Sequence, residues 1–414
     1  MIKYYSLLYE KRQHAQFWLL FTRKAVLRIK KFFAVIKKYA LLFWERGDIF
    51  LLAMCLVCSF FGLLMIRSAT AHYDGAAKYI FVQLFSMALG IVAFILLTFM
   101  DSDVLGDKWG WLSVINVALL VALVIFGEDD GTGNKAWIRF AGIGIQPSEV
   151  IKVLYIIVSA KQMTYLKEYK DINNFWSVVQ MAGHFVIVFG MIIVVSSDLG
   201  SALILLFIFL VMFFALGVKL YWFALGGAAI AAMIPLLWNH FLKDYQKKRL
   251  IAPYAPDTVD PEGYGITWQT RQSKLTLASG RLTGNGLGFG TQTQKSTFTG
   301  KHTDFIYSVV GEELGMIGCI IVIVLLCIII VHCVRVGLHA GRVYDMLICV
   351  GVAAAVAFQT FINIGMCVGI TPVIGITLPF FSYGGSSMVT MFAAMGLISG
   401  IKYKPKPQQF TMLY

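Results

Sequence analysis

Leu314-Gly315-Met316-Ile317-Gly318-Cys319-Ile320-Ile321-Val322-Ile323-Val324-Leu325-Leu326-Cys327-Ile328-Ile329-Ile330-Val331 runs for 18 residues without a charge. At a rise of about 1.5 Å per residue, such a run covers most of the ~30 Å of bilayer hydrocarbon. Inside lipid the backbone must close its own hydrogen bonds, so the run predicts a membrane-spanning helix. The rest of the chain has the same character. Of its 414 residues 58% are hydrophobic and 14% charged, and the mean hydropathy is +0.75. That is too little polar surface to cover a soluble globule. The fold class expected is all-α, a polytopic integral membrane protein.

Working outward, ten stretches are apolar enough to be candidate spans: 48–67, 79–99, 109–126, 146–163, 177–196, 198–217, 220–238, 304–331, 343–367 and 381–400. No stretch repeats with the period of a solenoid or array, and no soluble domain is left over. One membrane domain, 45–405, is therefore expected, with a long connection at 239–303, a basic segment 1–44 before it and a tail 406–414 after it.

Lys and Arg placement sets the expected orientation, because short loops rich in these residues stay cytoplasmic. With both termini inside, the cytoplasmic side holds 21 of the 35 Lys+Arg, whereas the short outer segments hold only Arg67, Lys78, Lys135 and Arg139. The 239–303 connection is too long for the rule to apply. A net charge of +13 would suit a nucleic-acid binder, yet much of it lies between Arg23 and Lys38, interleaved with Val26, Leu27, Ile29, Phe32, Phe33, Val35 and Ile36. That pattern is expected to rest on anionic lipid as an interfacial helix, with no nucleic-acid partner. The seven cysteines fall in spans or at a span end, so Cys55 and Cys58 read as small packed hydrophobes rather than a redox pair. His184, alone in an apolar span, reads as a core residue, and the histidines show no metal spacing.

Ionisable groups inside spans are costly and few. The fourth span opens Gln146-Pro147-Ser148-Glu149-Val150-Ile151-Lys152, where Glu149 and Lys152 share a helix face; they form either a neutral pair or a device that positions substrate. The eighth begins Lys301-His302-Thr303-Asp304-Phe305 and continues Gly311-Glu312-Glu313-Leu314-Gly315. At a helix start Asp304 reads first as a cap. Glu312, two turns deeper on the same face, is expected to neutralise Lys152 across helices. The long connection holds Arg271-Gln272-Ser273 and the glycine-rich Ser279–Gln292. With no strand before it, that glycine pattern is not a dinucleotide fingerprint; it reads as a pliable loop able to close over a polar headgroup. Pro372 and Pro379 interrupt helix at membrane depth, which favours a polar cavity opening outward.

Several motifs stand together in one order. Gly133-Asn134-Lys135-Ala136-Trp137-Ile138, Gln146-Pro147-Ser148-Glu149, Asp198-Leu199-Gly200-Ser201, His302-Thr303-Asp304-Phe305-Ile306 with Gly311–Gly315, and Leu378-Pro379-Phe380 through Ser387 resemble the SEDS (RodA/FtsW) family across roughly residues 45–405. The resemblance implies a peptidoglycan glycosyltransferase that joins lipid II into glycan strands at the outer face of the bacterial inner membrane, with a class B penicillin-binding protein as partner. It implies that Asp304 is the residue catalysis requires, acting as base toward the acceptor hydroxyl, which displaces the cap reading. Glu149, Lys152, Glu312, His302, Thr303, Ser386 and Ser387 are the expected substrate-binding or supporting positions, with Gln272 and Ser273 from the outer connection. Arg139, Lys301, Lys295 and Arg271 are the outer cations able to stabilise a leaving diphosphate, with a divalent Mg or Mn ion as a further candidate. The wording Asn363-Ile364-Gly365-Met366 and Pro372-Val373-Ile374-Gly375 is nearer the elongation member than the division member. A flippase for the same lipid, or a scaffold recruiting a penicillin-binding protein, are the rival readings; alternating access would call for a midplane site and repeat symmetry, neither of which the sequence displays.

Overall fold

A helix occupies each of the ten apolar stretches. The computed structural model describes residues 41–128, 136–140, 143–242, 244–295 and 298–404. The basic segment Arg23–Lys38, the Gly133-Asn134-Lys135 part of the first motif and the tail 406–414 lie outside the described residues. By its contacts the chain divides into Met1–Ile49 and Phe50–Tyr414, and the bundle and its cavities belong to the second unit.

In order, the helices are α1 (Ile49–Ala69), α2 (Ala76–Phe99), the short α3 (Ser102–Asp107), α4 (Trp109–Phe126), α5 (Pro147–Tyr169), α6 (Phe175–Ser196), α7 (Leu199–Leu216) and α8 (Leu220–Leu236). They continue with α9 (Asp244–Ile251), α10 (Pro256–Val259), α11 (Trp268–Ser279), α12 (Ile306–His339), α13 (Val343–Val368) and α14 (Gly385–Lys402). A small antiparallel hairpin, β1 (Ile138–Phe140) with β2 (Ile143–Ile145), precedes α5. Eight of the described helices are long and apolar enough to cross a bilayer. The helices α5 and α14 are less apolar, since α5 carries Glu149, Lys152 and Lys161, and α14 carries Ser386, Ser387, Thr390 and Ser399.

Lipid offers no hydrophobic drive between helices, so close packing must come from small residues. Helices α2 and α14 meet where a Cβ added to Gly90 would lie 3.0 Å from the Phe392 ring and one added to Gly396 would lie 2.5 Å from the Phe94 carbonyl oxygen, so side chains there are tightly restricted. Helix α13 forms the centre, with most of its residues buried, and Ala353, Ala354 and Ala355 let α5, α7 and α12 approach it. By contrast α8 buries no residue. At the end opposite Asp304, Arg342 bonds Asp103 at 2.6 Å and Asp345 at 2.9 Å, and Lys404 bonds Asp101, so the start of α13, the end of α14 and the α2–α3 link are tied together.

Three expectations are corrected. First, the 239–303 segment, expected only as a long connection, holds the helices α9, α10 and α11. Second, the helical run α12 is broken at Gly315, where φ is 67° and ψ −166°, so Glu312 and Glu313 sit in a short leading piece rather than deep in the span. Third, the glycine-rich loop is stitched to that break rather than pliable. Asn285 N donates to Glu312 O at 2.9 Å, Gly286 N to Glu313 O at 3.0 Å and Met316 N to Arg281 O at 3.0 Å, which returns to the broken helix the partners its break removes. The backbones come so close that a Cβ on Gly315 would lie 2.4 Å from Gly284 N. Only glycine adopts this φ/ψ region readily, and forcing another residue into it costs about 1–3 kcal/mol before the clash is counted. Gly315→Ala is therefore expected to lower the yield and melting temperature of detergent-solubilised protein; wild-type melting would contradict this account of the break.

The last connection, 370–384, is irregular yet largely buried. Gln83 Nε2 donates to Ser382 O and Gly384 N donates to Gln83 Oε1, both at 3.2 Å, and Gly62 leaves space for the Phe381 backbone. Broken backbone at this depth is satisfied by neighbouring helices, as a non-helical segment in a membrane must be. The tenth helix consequently starts at Gly385 rather than 381.

Candidate active site

Three consecutive carbonyls fix the turn that leads into α12. His302 O accepts from Tyr383 N at 2.9 Å, Thr303 O from Ser382 Oγ at 2.6 Å, and Asp304 O from Asn363 Nδ2 at 2.8 Å. The same Asn363 amide donates to Ile376 O at 2.7 Å, so one side chain of α13 clamps the 304 turn to the 370–384 segment. Asp304 is not a helix cap: Phe305 holds that position and no side chain caps it. With its backbone immobilised, Asp304 directs its carboxylate at a cavity of about 360 Å³ lined also by Arg139, Glu149, Asp198, Gln359, Gly375 and Tyr383. Among the described residues nothing donates to that carboxylate, and burial pushes its pKa up to about 6.

Two more acids share the cavity. Glu149 accepts from Lys152 at 2.8 Å, with 5% and 2% of the side chains exposed, and its Oε2 has no partner among the described residues. Asp198 is the N-cap of α7; it accepts from Ser201 N at 3.0 Å, Ser201 Oγ at 2.6 Å and Gln146 Nε2 at 3.1 Å. Arg139 on β1 reaches the rim with 54% of its side chain exposed and only a loose 3.6 Å contact to Glu128, leaving it available to an anion. No three His, Cys, Asp or Glu among the described residues are grouped as a metal cage.

The other expected residues are distributed more widely. Glu312 does not pair with Lys152. Its carboxylate accepts from Gln292 N at 2.8 Å, Thr293 N at 2.7 Å, Thr293 Oγ1 at 2.6 Å and Ser279 Oγ at 3.1 Å, because the stitched loop folds its free amides around it. Lys301 turns inward, donating to Thr293 O at 2.5 Å and Lys295 O at 2.8 Å over the Tyr73 ring, and burial lowers its pKa. His302 packs among Tyr73, Tyr79 and Tyr383, and burial, with Lys301 beside it, lowers its pKa to about 4. Thr303 lines the cavity beside Asp304. Ser386 Oγ accepts from Gln146 N at 3.2 Å, and Ser387 Oγ lies 3.5 Å from Thr377 Oγ1, so both brace its wall. Arg271 is outside it, bonded to Asp257 at 3.2 Å; Gln272 is on the same helix, and Ser273 Oγ is buried against Cys367 O at 2.7 Å and Ser308 Oγ at 2.5 Å.

The sequence reading did not single out Asp198, Gln146, Gln359, Trp137 or Tyr383 as lining residues. Asp198 has the signature of a helix cap, which it also is. Gln359, a lone amide in an apolar helix with an unpartnered Oε1, carried a usable signal.

A sequence model of the family described as "Cell cycle protein", comprising FtsW, RodA and SpoVE, matches residues 48–406. The chain belongs to that family. Similar members of the FtsW, RodA and SpoVE family include the peptidoglycan glycosyltransferase MrdB of Escherichia coli K12, 29% identical over 363 residues that cover 87% of this chain and 95% of that one. Stage V sporulation protein E of Bacillus subtilis is 32% identical, covering 86% and 96%. Among solved structures, the rod shape determining protein RodA of Thermus thermophilus superposes with a TM-score of 0.64 at 25% identity, covering 87% of this chain and 97% of that one. A chain of a peptidoglycan synthase complex that coordinates polymerization and crosslinking gives 0.73 at 26% identity, covering 87% and 98%. In this family member the motif residues Gln146, Glu149, Asp198, Ser201, Thr303 and Asp304, far apart in sequence, line one cavity.

Proposed function

We propose that this multi-pass protein of the bacterial inner membrane is a peptidoglycan glycosyltransferase that polymerises lipid II, with Asp304 as the general base. The supporting observation is the unpaired Asp304 carboxylate, held by its backbone and facing a polar cavity. Transfer from an α-linked sugar diphosphate to a β-1,4 linkage inverts C1. The acceptor GlcNAc 4-hydroxyl loses its proton to Asp304 as its oxygen forms the new bond to C1, while the C1–O bond to diphosphate breaks. A pKa near 6 keeps the base largely ionised at neutral pH yet basic enough to take the proton. Arg139 is the cavity cation placed to meet the diphosphate charge. Lys301 and Glu312 serve the scaffold in this reading, holding the loop beneath the site.

The cavity opens to the outer face, both termini are cytoplasmic, and the polyprenyl tails stay in lipid beside the bundle. A class B penicillin-binding protein is the proposed partner, with anionic lipid beneath the basic start. The Asn363 motif, here the clamp on the Asp304 turn, favours the elongation type over the division type. Against a flippase, the acidic side chains gather in one cavity; against a scaffold, Asp304 has no structural bond to make. The test is the pH profile of lipid II polymerisation by purified protein. kcat/KM should rise tenfold per pH unit below about 6 and level off above it, and a profile flat between pH 5 and 8 would remove Asp304 as base.

A further inference from the structure

A second and larger cavity, about 670 Å³, lies in the connection between α8 and α12, lined by α9–α11 and Val373. Its charged lining is Arg249, Arg271, Lys274 and Asp257. Asp257 is engaged by Arg271 at 3.2 Å. Arg249 lies 5.8 Å over the Tyr245 ring, and neither it nor Lys274 is bonded to an acid among the described residues. The groove therefore carries a surplus of two cations. Its rim is ordered by Asp260, which accepts from Thr267 Oγ1 at 2.7 Å, Gly265 N at 2.9 Å, Thr267 N at 3.0 Å and Gly263 N at 3.1 Å.

The groove is joined to the site already described. A small third cavity of about 40 Å³ shares Asp198 and Ile374 with the Asp304 cavity, and shares Arg249 with the basic groove. A continuous wall thus leads from the proposed base, through a neck at Ile374, to the surplus cations. A ligand reaching both ends must be anionic at a distance from its reacting sugar. The diphosphate is adjacent to C1 and tethered to a lipid tail, so it belongs in the first cavity. The remaining anionic part of such a substrate is the peptide stem, whose free carboxylates hang many bonds from the reacting C1 and 4-hydroxyl.

We infer that the Arg249–Arg271–Lys274 groove binds the carboxylates of the substrate's peptide stem, guiding the glycan past the Asp304 cavity. The inference rests on the lipid II polymerase reading. Exposed charge pairs are individually weak, so the effect belongs in KM and is moderate.

The test compares lipid II carrying an ordinary carboxylate stem with lipid II whose stem carboxylates are amidated, using the full-length protein in detergent. Arg249→Gln with Lys274→Gln should raise KM about tenfold for the carboxylate stem and leave it within about twofold for the amidated stem, with kcat unchanged on both. As a check that needs no variant, the wild-type KM should rise with salt more steeply for the carboxylate stem. Equal shifts on the two substrates, or no shift on either, together with equal salt dependence, would overturn the groove assignment. Wild-type polymerisation of the ordinary substrate separates this from failure of the enzymatic reading: without it the function falls, and with it only the groove is judged.

Discussion

Asp304→Asn is expected to lose about 10²–10⁴-fold in lipid II polymerisation while the protein becomes more stable. The amide matches the carboxylate in shape and cannot accept the hydroxyl proton. Asp304 makes no side-chain bond among the described residues, so its removal leaves no partner stranded. The direction of the stability change follows from the raised pKa. A carboxyl raised from 3.8 to about 6 contributes its full stability below pH 3.8 and loses it as pH rises through 6. At pH 8 the partly desolvated anion is a net cost, on the order of 1–3 kcal/mol, which asparagine removes. Thermal melts in detergent at pH 8 and pH 5 measure this, with the gain expected at pH 8 and shrinking toward pH 5. A destabilised Asp304→Asn would mean that the carboxylate has a structural partner after all. Sites that sacrifice stability for chemistry show this opposition.

The second large effect belongs to the buried pair. Lys152→Met leaves the Glu149 carboxylate, 5% exposed, without its counterion. Breaking a buried pair from one side costs about 3–5 kcal/mol, whereas replacing both charges by neutral groups is often close to neutral. Lys152→Met should therefore express poorly, and Glu149→Gln with Lys152→Met should recover most of the lost stability. Activity discriminates further. Glu149 lines the cavity with one oxygen unpartnered, so the double variant should fold yet remain at least about tenfold down in kcat. Full activity in the double variant would reduce the pair to a structural element. Charge-reversing Lys152 together with Glu312 should rescue nothing, since Glu312 is bound to the 291–293 loop.

The apolar runs alone were enough to place the helices, because membrane depth imposes length and backbone closure on the sequence. The ends were less legible. The break at Gly315 depends on amides contributed by Asn285 and Gly286 from a distant loop, and no local pattern announces that contact. The same loop misled the reading of Glu312, which was expected to seek the nearest buried cation and instead binds backbone N–H groups. Asp304 was legible through the His302-Thr303-Asp304-Phe305 motif, whereas its position alone pointed to a cap. What sequence could not reveal is the clamp: the 302–304 carbonyls are held by Asn363, Ser382 and Tyr383, residues 59 or more positions away, which hold the carboxylate toward the cavity. The cations repeat the lesson. Lys301 and Arg139 both read as outer positive charges, yet Lys301 is consumed by two carbonyls and Arg139 remains half exposed.

Polyprenyl diphosphate release from lipid II by the purified protein in detergent micelles, where no second compartment exists to receive a flipped lipid, is the most direct test. Release coupled one-to-one to new β-1,4 bonds is expected in wild type, with loss of both in a folded Asp304→Asn protein. Undiminished glycan synthesis by that variant would contradict it.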